Sequence, residues 1–427
     1  MTSGTQRTPC SFPRQSLVGG IVLGWTVLGA TVVQGEAYRP NSDEEVLEQV
    51  PAASSGDPRL EEIRELRQRL TSLDPVLQQS SSGEEVAIAA ALARRLVKFG
   101  RSEGDPRYFG YAQAALAPWW EQTEPPSEVL LLRATLRQNR HDFAGALEDL
   151  DALLVREPHN SQAWLTRAVV QQVQGRPGAA LESCRPLRQL TSALIAAACE
   201  ASAASLLGRG EAGYSQLQKA LAWQGRADPS IRIWALTGLA EIAVRLGRTE
   251  AAEKHFSQAL AESQQGPGLR DVYLLGAYGD FLLDLERFQE VAGLLRGEEA
   301  VDALLLRLAL AETALSEMGM ADASYQSHVT ELETRFAAAR RRGDETHLGN
   351  EARLRLHLLG EPIEALELAL RNWQDQKEPV DARWVLEAAL EAGRASEAAP
   401  VLEWIQRTGL EDPHLEALAR RLREVKS

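Results

Sequence analysis

The amino-acid sequence predicts an all-α protein, a right-handed α-solenoid of about eight or nine helix-turn-helix repeats. The first observation is a small residue that recurs with a spacing near 34 residues, which is typical of stacked helical hairpins. The series runs through Ala112, Ala146, Ala180, Gly213, Ala252, Ala365 and Ala398. A second series lies five residues earlier in five of these repeats, at Gly175, Gly208, Gly247, Gly360 and Gly393. Composition is the third observation, because the 427 residues contain no run of alternating β-branched residues that would indicate a strand.

The amino terminus has the pattern of a secretory signal peptide. Two arginines precede an apolar run at residues 17–33, and Gly35 and Ala37 form a small-residue cleavage pattern. We interpret residues 1–37 as a signal peptide that is cleaved after Ala37, so that the protein is exported, to the periplasm in a bacterial-type cell. The alternative is an anchor in the inner membrane formed by residues 17–33, a run that is short for a span of about 20 residues. Both interpretations place the repeats outside the cytoplasm.

The rest of the chain divides into a linker and one repeat domain. Residues 38–58 are polar and contain Pro, Ser and Gly, which is typical of a linker. The helical repeat domain is predicted for residues 59–427. Its best repeats are 128–158, 161–191, 233–262, 346–373 and 380–407.

The repeat at 161–191 illustrates the local chemistry. Gly175 can adopt the left-handed conformation that ends a helix, and Pro177 suits the first turn of the next helix. Ala180 stands where the two antiparallel helices cross, because a larger side chain would force them apart. The segment around Glu286 and Val291 departs from this pattern, and two long helices are predicted after it, at 301–315 and 321–342.

These repeats resemble the tetratricopeptide repeat (TPR) family. In that family the first helix carries a large apolar and a small residue, and the second carries Ala and aromatic residues before a closing Pro. The repeat at 128–158 matches at Ala134, Phe143, Ala146, Leu150 and Pro158. The resemblance extends over residues 87–409 and implies a solenoid whose concave groove, lined by the first helices, binds a protein or peptide.

The register of the family indicates which side chains face that groove. They are Gln138, Asn139, Gln162, Gln172, Trp234, Glu241, Arg245, Tyr273 and Asp280. Family members that hold a partner's C-terminal carboxylate use Lys at set places in successive first helices. This chain has Leu131, Leu165, Ala198, Thr237 and Gly276 there. The difference argues against recognition of a C-terminal carboxylate.

No catalytic, cofactor-binding or metal-binding residues are predicted. The chain lacks H-E-x-x-H, C-x-x-C, G-x-S-x-G and G-x-x-x-x-G-K-[ST], and its seven histidines make no pair at helical spacing. The net charge is −14, and removal of residues 1–37 leaves −15. A surface of this charge repels phosphates, so nucleic acid is not expected as a partner. No other segment is long and apolar enough to span a membrane, so no span is expected in the mature chain.

Two cysteines, Cys184 and Cys199, follow the predicted signal peptide. They lie about equally far from the turn expected at 191–192, on antiparallel helices, so export would allow a disulfide between them. The alternative is a pair of buried thiols that act as small apolar side chains.

The function expected from these observations is that of a non-enzymatic, exported TPR scaffold or adaptor that mediates protein–protein interaction. Assembly of an envelope complex would be a special case of this function. The alternative is a small-ligand receptor or an enzyme with an unrecognised site in the solenoid groove.

Overall fold

A computed structural model describes residues 57–73, 83–224, 227–266, 270–320 and 325–426. The α-helices are α1 (Pro58–Thr71), α2 (Gly83–Glu103), α3 (Arg107–Ala115), α4 (Ala117–Trp120), α5 (Ser127–Asn139), α6 (Phe143–Arg156), α7 (Ser161–Val173), α8 (Pro177–Cys184), α9 (Leu187–Leu190), α10 (Ala193–Ser205), α11 (Gly210–Trp223), α12 (Pro229–Arg245), α13 (Thr249–Ser263), α14 (Val272–Asp284), α15 (Phe288–Leu295), α16 (Asp302–Glu317), α17 (Tyr325–Arg341), α18 (Leu348–Leu354), α19 (Pro362–Asp375), α20 (Pro379–Glu391), α21 (Ala399–Thr408) and α22 (Pro413–Lys426). No strand occurs within these ranges. The predicted signal peptide and nearly all of the predicted linker lie outside the described residues.

The helices form antiparallel pairs that stack on one another. The pairs are α2–α3, α5–α6, α7–α8, α10–α11, α12–α13, α14–α15, α16–α17, α18–α19 and α20–α21. The described part of the chain therefore contains nine pairs, and α22 packs on the last of them. The predicted α-solenoid of eight or nine helix-turn-helix repeats is confirmed. None of the helices in the described ranges has both the length and the apolar character needed to cross a membrane.

The turn inside a pair depends on one residue with a positive φ angle. The five glycines of the predicted series have φ between +65° and +69°. This left-handed conformation is unfavourable for a residue that has a Cβ atom. His141 and Glu286 hold the equivalent places in α5–α6 and α14–α15, with φ of +61° and +56°. The backbone therefore keeps the same turn even where the sequence does not supply glycine.

The small-residue series marks the places where paired helices cross. Ala146, Ala180 and Ala252 have no exposed surface. At Gly213 of α11 an added Cβ atom would lie 3.0 Å from the carbonyl oxygen of Ala201 in α10. Because the backbones approach this closely, the crossing excludes any larger side chain.

The irregular segment lies where the spacing of the repeats changes. Helices α16 and α17 are both long, and α18 continues into a π-helical turn at Arg355–Leu359. Gly360 ends that turn with φ of +67°. The wider turn adds a residue to the helix, which changes the direction of the side chains that follow.

The solenoid curls until its last pairs touch the turns of earlier pairs. The backbone N–H of Lys377 donates to the carbonyl of Val173 at 2.7 Å, and the Trp404 indole donates to the carbonyl of Gly175 at 3.2 Å. An added Cβ atom at Gly208 would lie 2.5 Å from the carbonyl oxygen of Gly409. We call this set of contacts the inter-turn clasp; it joins Val173, Gly175 and Gly208 to Lys377, Trp404 and Gly409.

Candidate functional site

The first helices of the pairs line the inner face of the solenoid, which we call the channel. Side chains from helices that are not neighbours meet there. Arg353 of α18 donates to Asp280 of α14 at 2.6 Å, and Arg383 of α20 donates to Asp284 of α14 at 2.7 Å. In a curved stack of helices, such distant first helices approach each other only on the concave side. These four residues therefore lie in the channel.

Three residues that the family register places in the groove form one part of the channel. The Tyr273 hydroxyl donates to Glu241 at 2.5 Å, and Arg245 lies one turn after Glu241 on α12. Arg245 donates to the Ser205 hydroxyl at 3.0 Å, whereas its buried Nε atom has no hydrogen-bond partner in the described residues. The Tyr273 side chain is 62% exposed, so its ring faces open space and not the core.

Two further carboxylates, Glu378 and Asp381, lie at the start of α20 and were not predicted from the sequence. They form a capping box, in which each side chain accepts a hydrogen bond from the backbone N–H of the other residue. Burial and the charges of Asp381 and Glu241 raise the pKa of Glu378 to about 8. Burial also raises the pKa of Asp381, to about 6, although Asn372 donates to it at 2.8 Å.

Positive charge is scarce in this part of the channel. Burial raises the pKa of Glu241, and Arg245 only partly offsets that effect. The negative charge of Glu241 holds the pKa of Tyr273 well above its ordinary value. Glu241 and Glu378 thus share the Arg245 guanidinium, and the Lys377 ammonium only partly offsets the burial of Asp381. We call Glu241, Tyr273, Glu378 and Asp381 the acidic cluster.

The adjoining part of the channel has balanced charges. Burial acts to raise the pKa of Asp280, but Arg307 and Arg353 together lower it. Arg353 and Arg383 lie over the ring of Trp384, at 4.6 and 5.2 Å from its centre. Glu387 accepts hydrogen bonds from Arg383 and from two histidines, His357 and His414. These groups are bonded to one another, so they have less capacity for a partner than the acidic cluster has.

The other predicted groove residues do not join either part. Asn139 donates to the Thr135 carbonyl within its own helix, and Gln162 donates to the Thr166 hydroxyl. Gln172 accepts from the Ser202 hydroxyl of α10 at 2.7 Å. The remaining two, Gln138 and Trp234, are half-buried, and Trp234 packs against the core.

The two cysteines lie where the helices of adjacent pairs meet. Cys184 ends α8 and Cys199 is in α10, with Cα atoms 5.7 Å apart and sulfur atoms 1.99 Å apart. Ser192 caps α10, so the turn between the two residues falls at the position expected from the sequence. No group of three or more His, Cys, Asp or Glu side chains within the described ranges is arranged to hold a metal ion.

Comparison with known proteins finds solved structures of low sequence identity. No family model and no curated protein matches the sequence. Among solved structures, the thermophilic TPR protein TTC0263 of Thermus thermophilus is 20% identical, with 44% of this chain and 97% of that chain covered and a TM-score of 0.34. The APC/C hetero-tetramer Cut9–Hcn1 is 14% identical, with 84% and 66% covered and a TM-score of 0.46.

A third similar structure is the human IFIT1 dimer with m7Gppp-AAAA. It is 14% identical, 86% of each chain is covered, and the TM-score is 0.40. At identities this low, the likenesses concern the fold alone. One of these structures, TTC0263, is a TPR protein, which is the family that the sequence resembles.

Proposed function

We propose that this protein is an exported, non-catalytic scaffold that binds a segment of a partner protein in its channel. The observation that carries the proposal is the exposed ring of Tyr273 beside the carboxyl groups of the acidic cluster. An aromatic side chain with free surface is a common anchor in protein interfaces. Assembly of an envelope complex would be a special case of this function.

The chemistry of the acidic cluster favours a basic segment as the partner. A Lys or Arg side chain would form charge-assisted hydrogen bonds with Glu241 and Glu378 and would lie close to the Tyr273 ring. It would also supply the positive charge that the carboxyl groups lack, which would lower their pKa values. The net charge of −15 that remains after removal of residues 1–37 would speed the approach of such a partner at low salt.

Site-specific cross-linking in intact cells tests this proposal. Benzoylphenylalanine is introduced in place of Tyr273, and in a second strain in place of Trp223, which is 81% exposed at the end of α11, the second helix of its pair. We expect a discrete cross-linked product from the first position only, and mass spectrometry identifies the partner. Equal products at both positions, or none at Tyr273, would contradict the proposal.

A charge variant sharpens the same experiment. The double substitution Glu241→Gln and Glu378→Gln keeps the shape of the acidic cluster and removes two carboxylates. We expect the yield of the Tyr273 cross-link to fall at least about tenfold, since each charge-assisted bond contributes about 1.5–3 kcal/mol. Glu182→Gln, at an exposed carboxylate on α8, is the matched control and should leave the yield unchanged.

Export has its own test. N-terminal sequencing of the mature protein should begin at Tyr38, as cleavage after Ala37 requires. Alkylation of the unreduced, denatured protein should leave Cys184 and Cys199 unmodified, because an oxidising compartment favours their disulfide. Recovery of the intact chain from the cytoplasm, with both thiols alkylated, would contradict both expectations.

A further inference from the structure

An open pocket of about 440 Å³ lies between α19 and α21, the second helices of the last two pairs. Its floor consists of Trp373 and Trp404, whose rings meet edge to face at 5.3 Å and are almost fully buried. Leu370 and Pro400 also border it and add apolar surface. The second helices form the outer layer of the solenoid, so this pocket is separate from the channel.

Two cations, Lys377 and Arg407, border the pocket. The Lys377 ammonium donates to the Gln374 carbonyl at 2.6 Å, and no ion pair of either cation with a carboxylate is found within the described residues. Burial lowers the pKa of Lys377, the charge of Asp375 opposes that effect, and the charge of Arg407 lowers the pKa further, with a smaller opposing effect of Asp381. Two cations that repel each other on a partly dehydrated apolar surface would be stabilised by an anion.

The pocket is also held rigidly, because it shares residues with the inter-turn clasp. The Lys377 backbone is bonded to Val173, and the Trp404 indole is bonded to Gly175. A preformed floor loses little conformational entropy when a ligand binds, so even a short segment can bind there. Glu403 is also on the rim and offsets one of the two positive charges, so a ligand with few negative charges suits the pocket.

We propose that this pocket binds a short acidic segment of a partner protein. A large apolar side chain of the segment lies on Trp373 between Leu370 and Pro400, and flanking carboxylates bond to Lys377 and Arg407. The two cations belong to different elements, the α19–α20 turn and the end of α21, which suits carboxylates on two different residues of the segment. The inference rests on the proposed scaffold function but assigns it a second surface of opposite charge.

Fluorine NMR of the purified protein labelled with fluorotryptophan tests the inference. The Trp373 resonance is assigned from the Trp373→Phe variant. The probes are three acetylated, amidated hexapeptides, Gly-Asp-Leu-Phe-Glu-Gly and its versions with both acids replaced by Ser or by Lys. We expect the acidic peptide to shift the Trp373 resonance with a Kd at least about tenfold lower than that of the Ser peptide, and the Lys peptide to have no effect.

Variants connect that affinity to the two cations. The double substitution Lys377→Gln and Arg407→Gln should remove the difference between the acidic and the Ser peptide. Arg371→Gln, at an exposed position of α19 that is paired with Glu345, is the matched control and should retain it. Circular dichroism of each variant establishes that the fold is intact.

Three results would overturn the inference. They are no shift at Trp373 up to the solubility limit of the acidic peptide, equal affinities for all three peptides, and binding of phenylpropionate as tight as that of the acidic peptide. The last result would make the pocket a site for free organic acids. The Tyr273 cross-link should be unchanged in the Arg407→Gln single variant, whose cation does not act on the acidic cluster, so failure of this inference and failure of the channel proposal are distinguishable.

Discussion

Two clusters of ion pairs with buried members differ in the elements that they join. One lies within a single helix pair, and the other connects distant pairs. Arg133 of α5 and Asp149 of α6 are 5% and 4% exposed and form a bidentate pair within one helix pair, 16 residues apart. Arg353 and Asp280 in the channel are 73 residues apart and belong to different pairs. The first contact can form as soon as its own hairpin folds. The second requires every intervening pair to have its native curvature, so it stabilises the shape of the whole coil.

The largest expected effect concerns the local cluster. Arg133 also donates to the carbonyls of Trp120 and Gln122, so Arg133→Met leaves these groups and part of Asp149 without partners. We expect a loss of about 3 kcal/mol in the free energy of unfolding, measured by urea melts, because removing one member of a buried ion pair is costly. Arg185→Met, at an exposed pair with Glu182, should cost less than about 1 kcal/mol. Equal losses from the two substitutions would show that burial of an ion pair does not determine its contribution to the free energy of unfolding.

Two matched glycines isolate the contribution of the distant contacts. Gly208 and Gly393 have nearly the same φ, +65° and +67°, so an alanine at either place has a backbone cost of about 1–2 kcal/mol. A Cβ atom at Gly393 meets nothing within 4 Å, whereas at Gly208 it would collide with the carbonyl of Gly409 in the inter-turn clasp. We therefore expect Gly208→Ala to lose about 1 kcal/mol more than Gly393→Ala in thermal melts. Identical losses would mean that the clasp does not contribute to stability.

The acidic cluster should make stability depend on pH. The pKa of Glu378 is raised in the folded state, to about 8, so its stabilising contribution is complete below its unfolded pKa of about 4.3 and is lost as pH rises through 8. Between pH 5 and 8 the wild type should lose at least about 1 kcal/mol more than Glu378→Gln, which retains an oxygen for the helix cap. Burial lowers the pKa of His255, so His255 makes the protein less stable as the pH falls below about 6.5. This contribution is the same in both proteins and cancels in the comparison. Parallel stability curves for the two proteins would contradict this explanation.

The smallest expected effect is a gain in stability. Glu286 is exposed and has a φ of +56°, so Glu286→Gly should relieve backbone strain and stabilise the protein by up to about 1 kcal/mol. Glu286→Ala keeps a Cβ atom and should bring no comparable gain. Urea melts of the two variants make the comparison, and a gain from alanine as large as that from glycine would show that the side chain, and not the backbone angle, is unfavourable.

The sequence predicts those features that depend on a single helix pair. A positive φ selects Gly175 and a close crossing selects Ala180, so both leave a pattern at fixed spacing. The channel leaves no such pattern, because it depends on small rotations that accumulate over several pairs. Glu378 approaches Glu241 only through that curvature, so no spacing in the sequence indicates their proximity. His141 shows a further limit, since a histidine in the left-handed conformation has no distinctive sequence signal.

The inter-turn clasp also limits which changes in the amino-acid sequence the fold can tolerate. At Lys377 and Val173 it is formed by backbone atoms, and at Gly175 and Gly409 it uses carbonyl oxygens, so most side-chain replacements leave its bonds available. An inserted or deleted helix pair between residues 175 and 377 would instead move the two sides of the clasp out of reach of each other. In this solenoid the number of repeats is therefore constrained more tightly than the identity of the residues that hold its ends together.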